Sequence, residues 1–191
     1  MKNHKIKKVA NAIIYFLDNK VKFLGSTKLM KMLFFADKFY INELAKPIFN
    51  YNYKKKERGP VPAEVYSIIQ SVQVGENSEY EEEVKAFSKY VEIKRVNNNL
   101  SLPNTEFQKK QEFDKRFFNV KELNVLDRVI KEFKDVTKQD ISDISHNENC
   151  WQFSKKDETI EFFSMADDRE TQEYMLEKLK IYQSFRQHIQ R

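Results

Sequence analysis

"RGPVPAEVYSII", residues 58–69, holds one of only three glycines and two of the four prolines in a chain of 191 residues. Punctuation of this kind turns a backbone. It follows the basic run Lys54, Lys55, Lys56 and Arg58, which Glu57 interrupts. Upstream, "IFNYNYKKKE" alternates Phe49, Tyr51 and Tyr53 with Asn50 and Asn52. That period of two predicts a short strand, placed at a sheet edge. Downstream, Val65, Ile68, Ile69 and Val72 recur at helical spacing, and Pro62 fits the first helical turn, where its missing N–H costs nothing. The stretch reads as a corner joining a strand to a helix, so the fold class is α+β.

The rest of the chain makes that class predominantly helical. Val9, Ala10, Ile13, Ile14 and Leu17 mark a first amphipathic helix. Ser26 or Thr27 is the expected N-cap of a second, "KLMKMLFFADKFYINEL". Its apolar stripe is Leu29, Met32, Leu33, Ala36, Phe39, Tyr40 and Leu44, with Lys28, Lys31 and Asp37 expected on the opposite side. Pro47 bars continuation. Residues 75–83 read as an acidic connection. "KYVEIKRV" and "LSLP" around "NNN" predict a hairpin. "VKELNVLDRVIKEFKD" is a helix with Leu123, Leu126, Val129, Ile130 and Phe133 inward, and "TKQDISDISHN" a short capped helix. Residues 104–118 and "ETIEFFSMA" fit more than one state. From Asp168 a long helix runs with Met175, Leu179, Tyr182 and Ile189 along one face. The expected organisation is a compact helical domain over 1–167, with a small antiparallel β element, and a C-terminal helix over 168–191 packed on it.

Composition bounds the function classes. Sixteen Phe, nine Tyr and one Trp supply a substantial core. The formal net charge is +5, from 34 basic and 29 acidic residues. That is a mixed surface, without the strong basic clustering of a committed nucleic-acid binder. One cysteine, Cys150, allows no internal disulfide and fits a reducing compartment. No apolar run reaches the ~20 residues of a membrane span. A cytoplasmic protein with no membrane partner is the expectation.

Catalytic signals are sparse. His4, His146 and His188 are scattered. His146 and Cys150, four apart, are the best metal or nucleophile–base pair available, but two ligands do not make a metal site. The competing reading is that His146 hydrogen-bonds near a helix end and orders the junction before Trp151. The isolated glycines form no phosphate-cradling loop. "TKQDISDIS" offers acidic residues where a DNA-reading helix would need Arg, Asn or Gln. What stands out is an aromatic, partly basic face over residues 51–66, a composition that protein interfaces favour.

Two blocks carry a family resemblance. "TKLMKMLFFADKFYINELAKPIFNYNYKKKERGPVPAEVY" resembles the signature of the Panacea domain, also described as SocA-like antitoxins and phage-associated GepA-like proteins. "DISDISHNENCWQ" resembles that family's later block, and the two together span about residues 7–165. The matched positions are Leu29, Lys31, Phe34, Ala36, Pro47, Phe49, Gly59, Pro60, Val61 and Val65, then Ser142, His146 and Trp151. Arg58 stands where many relatives have an aromatic. The resemblance implies a bacterial or phage antitoxin that neutralises a cognate protein toxin by direct contact, not an enzyme, with no catalytic set, metal or cofactor. Tyr51, Tyr53, Arg58 and Tyr66 are the candidate toxin-binding residues. Two other readings stay open: an enzyme, hydrolase or nucleotide-modifying, with a site near His146, or a nucleic-acid accessory protein using Lys54–Arg58, although nucleic acid is not the expected partner.

Overall fold

The structure, a computed structural model, describes residues 2–75, 79–96 and 104–189. Among these the elements run α1 (Lys2–Asp18), α2 (Ser26–Leu44), β1 (Tyr53–Lys56), β2 (Gly59–Pro62), α3 (Ala63–Val74), α4 (Glu81–Ser88), β3 (Val91–Val96), β4 (Asn104–Lys109), α5 (Val120–Phe133), α6 (Lys138–His146), α7 (Asn149–Gln152), β5 (Thr159–Ile160) and α8 (Arg169–Ile189). Short 3-10 turns at Lys115–Phe117 and Phe162–Met165 complete the chain. The fold is predominantly helical α+β, as expected.

The organising element is α2. Every residue from Lys28 to Ile41 is buried. A helix apolar on all sides must lie inside, and α2 is enclosed by β2, α3, α5, α6 and the second 3-10 turn. This corrects the expectation of a polar side. Lys28, Lys31 and Asp37 are 0, 1 and 0% exposed. The helix start also differs from expectation. Gly25 is the N-cap and no side chain caps the end. The Ser26 hydroxyl lies inside the helix and donates to Thr105 Oγ1 at 2.9 Å. Ala45, left-handed at φ 52°, ends α2 just before Pro47.

β1 is not an edge. It lies between β2 and β5, with Tyr53 opposite both Pro62 and Ile160. β2, like β5, is an edge strand, which explains how it holds two prolines. Ala63 N–H donates to Asn52 O, so odd-numbered amides face β1, while Pro60 and Pro62 lack a donor only on the unpaired side. Pro62 accordingly precedes α3 as its N-cap instead of entering the first turn. Gly59 opens β2 at φ +97°, directly after the Glu57–Arg58 turn.

A second antiparallel pair joins β3 to β4, from Val91↔Lys109 to Val96↔Asn104. The expected first strand is present, but its partner lies beyond "LSLP". The "NNN" turn and "LSLP" fall outside the described residues. The acidic connection is shorter than expected, because Glu81 already begins α4. "ETIEFFSMA" divides into β5 and a 3-10 turn.

α5 starts with a capping box: Glu122 N–H donates to Asn119 Oδ1 and Asn119 N–H to Glu122 Oε2, both at 3.0 Å. Thr137 caps α6 through Asp140 N–H. α8 contacts the preceding 3-10 turn, and Asn42 binds Asp167 at its approach. On its expected apolar face Met175 is half-buried and Leu179 is 42% exposed, while the side chains of Tyr182 and Ile189 lie outside the described residues.

Candidate functional site

The two motif blocks, about a hundred residues apart, meet in space. Lys31 on α2 donates to the Pro60 carbonyl at 2.9 Å, entirely within the protein. α6 packs on the same strand and on α2. A Cβ at Gly59 would lie 2.3 Å from Ser145 Oγ and 2.8 Å from Lys31 Cε. Gly59 is thus the point where hairpin, α2 and α6 touch, and only a residue without a side chain fits. Ser142 supplies the carbonyl that accepts from Ser145 Oγ at 2.7 Å. Burial with no carboxylate in contact pushes the Lys31 ammonium down to about 7.

His146 continues this junction. Its ring stacks on Trp151, centroids 4.1 Å apart. Trp151 Nε1 donates to Lys56 O at 3.2 Å, and the Lys55 ammonium lies 4.3 Å above the Trp151 ring. His146 Nε2 is buried with no hydrogen-bond partner. Burial first, then the positive Lys31, pushes the imidazole below its ordinary pKa, which favours the neutral ring. His146 stacks at the junction, and a backbone hydrogen bond with Glu57 in the hairpin turn, which opposes the downward shift, is the local bond expected of it; Nε2 makes none. Cys150 is buried and its thiol is pushed up to about 12, mainly by burial. A thiol held there is protonated at neutral pH, which argues against a Cys–His nucleophile. Among the described residues no group of three or more His, Cys, Asp or Glu side chains is placed to hold a metal ion. Among them, too, no helix is long and apolar enough to cross a membrane.

Asp37 is the second inward anchor. Oδ1 accepts from the amides of Ile48 and Phe49 at 2.7 and 2.8 Å, and Oδ2 from the Tyr53 hydroxyl at 2.8 Å. Burial raises its carboxyl to about 6 although all three donors oppose the shift. Asp37 thereby ties the Pro47–Phe49 segment and β1 to α2. Lys28 and Lys38 do similar work. Lys28 Nζ donates to the carbonyls of Lys22, Lys134 and Val136, and Lys38 pairs with Glu148 at 3.0 Å and with Asp167. The sequence pattern does contain the signal for these residues: polar positions inside a helix apolar all round have no solvent to face.

The four candidate partner-binding residues separate. Tyr51 and Tyr53 are 2 and 0% exposed and offer no surface to a partner; this corrects the expectation for both. Leu29, Phe34, Ala36, Phe49 and Val65 are core, and Val61 packs half-buried against it. Arg58 is exposed and Tyr66 is 43% exposed. These two share a cleft of about 660 Å³ between the hairpin turn, α3, β4 and the starts of α2 and α6. Tyr66, Gln70 and Gln73 line it from one face of α3, at i, i+4 and i+7. Its floor is knit by Thr105, whose hydroxyl accepts from Ser26 and from Gln73. Phe23, 63% exposed, stands at its rim.

Two lysines of the basic run are engaged within the fold. Lys55 Nζ donates to the carbonyls of Gln152 and Ser154, and Lys56 pairs with Asp157. Arg58 alone of the run projects into the cleft.

Fold and site together define a class: a small α+β scaffold whose charged motif residues are turned inward to clamp a β-hairpin, leaving an open polar cleft beside it. The chain belongs to the family described as Antitoxin SocA-like, Panacea domain, whose model matches residues 29–152. That match covers the first motif block from Leu29 on and the whole of the second, and is narrower than the 7–165 span of the resemblance. No curated protein and no solved structure matches the chain.

Proposed function

We propose that this protein is the antitoxin of a bacterial or phage toxin–antitoxin pair and neutralises its toxin in the cytoplasm by stoichiometric binding, without catalysis. The observation that carries this reading is the family match over both motif blocks, together with the use those motif residues find in the fold. Lys31, Gly59, His146 and Trp151 hold the hairpin, and none of them lines the Arg58–Tyr66 cleft. Residues used for support leave function to the surface they support, and in this fold that surface holds Arg58 and Tyr66.

The test is genetic and then physical. The neighbouring gene and this chain are placed under separate inducible promoters. Expression of the neighbour alone should arrest growth, co-expression should restore it, and the two proteins should co-purify. Hydrolysis or modification of a nucleotide at enzymatic rates by this protein alone would overturn the proposal.

A further inference from the structure

The Arg58–Tyr66 cleft has a chemistry that narrows what enters it. Arg58 carries five N–H donors and has no partner among the described residues. Gln70 and the Tyr66 hydroxyl add donors on the same side. Glu106 is the one carboxylate of the lining. Lys28 lies at the base, but its ammonium is engaged by three carbonyls. The cleft is therefore rich in donors and positive on balance. Phe23 and Tyr66 give it exposed aromatic walls, which bury apolar area at small rotamer cost.

Resting on the antitoxin reading, we propose that this cleft receives an extended segment of the toxin that presents an Asp or Glu side chain to Arg58, with apolar neighbours packed on Phe23 and Tyr66. Charge complementarity selects this occupant. A carboxylate satisfies the planar guanidinium fork bidentately. A nucleic-acid backbone would require a track of cations, and of the adjacent lysines Lys56 is paired with Asp157 and Lys55 is held by backbone carbonyls. A concave site of about 660 Å³ also suits a few side chains better than a continuous phosphate path.

The experiment uses the full chain and the toxin defined by the rescue test above. Toxin affinity is measured by calorimetry for the parent, Arg58→Glu, Gln70→Glu and Glu106→Gln, with Lys85→Glu on α4 as a control; thermal midpoints are recorded for all. Arg58→Glu and Gln70→Glu should each weaken binding at least about tenfold, with midpoints close to the parent's. Glu106→Gln should bind as well as the parent or better, and Lys85→Glu should be unchanged. Reversal of one acidic toxin residue to Lys should restore binding to Arg58→Glu. Parent-like affinity in both cleft variants overturns the proposal while leaving the antitoxin reading intact, because the parent still rescues growth. Failure of the parent to rescue sinks the antitoxin reading itself. Two further results overturn the cleft assignment: a labelled RNA or DNA duplex that binds the parent, competes with toxin and is lost in Arg58→Glu, or a parent dimer that Arg58→Glu dissociates.

Discussion

Replacing Gly59 with alanine is the sharpest probe of the junction. Gly59 sits at φ +97°, where an L side chain is strained; such a conformation costs roughly 1–3 kcal/mol. The new methyl would also stand 2.3 Å from Ser145 Oγ and 2.8 Å from Lys31 Cε. Neither neighbour yields freely, because Ser145 is buried and bonded to Ser142 O, and Lys31 is bonded to Pro60 O. Forcing a methyl into a filled site adds about 1–3 kcal/mol. The sum, about 2–6 kcal/mol, is a large part of the roughly 5–15 kcal/mol that holds a domain together. For a chain of this size each kcal/mol moves the midpoint by about 2–4 °C, so thermal unfolding followed by circular dichroism should show a fall of roughly 5–20 °C. In the Gly59→Ala background, Ser145→Ala should recover part of the loss by removing the closest atom. A Gly59→Ala protein within about 1 kcal/mol of the parent would refute the packed junction.

Two further perturbations test the inward charges. Tyr53→Phe removes one of three donors to the buried Asp37 carboxylate and should cost about 1.5–3 kcal/mol at pH 7, the scale for hydrogen bonds to charged groups. The loss should be smaller at pH 5, below the Asp37 value of about 6, because a protonated carboxyl needs fewer donors; an equal or larger loss at pH 5 would contradict this. Burial pushes the folded Lys31 ammonium down to about 7, against 10.5 for a solvated lysine. The unfolded chain therefore binds more protons between these values, and Lys31 makes stability rise with pH across that window. Lys31→Met should flatten the rise in urea-unfolding free energy between pH 7 and 9 relative to the parent, and an unchanged slope would show that Lys31 is not a buried titrating cation.

Much of the fold was legible because periodicity reports local structure. The apolar recurrences in α1, α2, α3 and α5 and the capping residue Thr137 of α6 all lie where the pattern placed them. Of the alternating Phe49, Tyr51 and Tyr53 only Tyr53 lies in β1, because Asn50 turns left-handed at φ 55°, and alternation does not say what covers a strand. Its second neighbour, β5, is two residues long and carries no pattern of its own, so β1 looked like an edge and its tyrosines looked available. α4 escaped because two turns with Val84, Ala86 and Phe87 hold too few apolar positions to set a period. The buried lysines were misplaced for a different reason. A charged residue is assigned to solvent by default; a helix apolar all round signals that it is enclosed, but the surrounding elements alone identify the backbone carbonyls that replace water around Lys28 and Lys31. Arg58 and Tyr66 were legible as surface residues; the cleft they share with Phe23 and Gln70 is assembled from five segments that no local pattern connects.

The most direct test of the central claim is a titration. Purified toxin, identified by the growth assay, is mixed with increasing amounts of this protein, residual toxin activity is measured, and the inhibited mixture is then separated under denaturing conditions and the toxin refolded. Binding predicts a break at a fixed molar ratio and full recovery of toxin activity after separation. Inactivation by far less than stoichiometric protein, or a toxin that stays inactive and chemically altered once separated, would show catalysis and contradict the account.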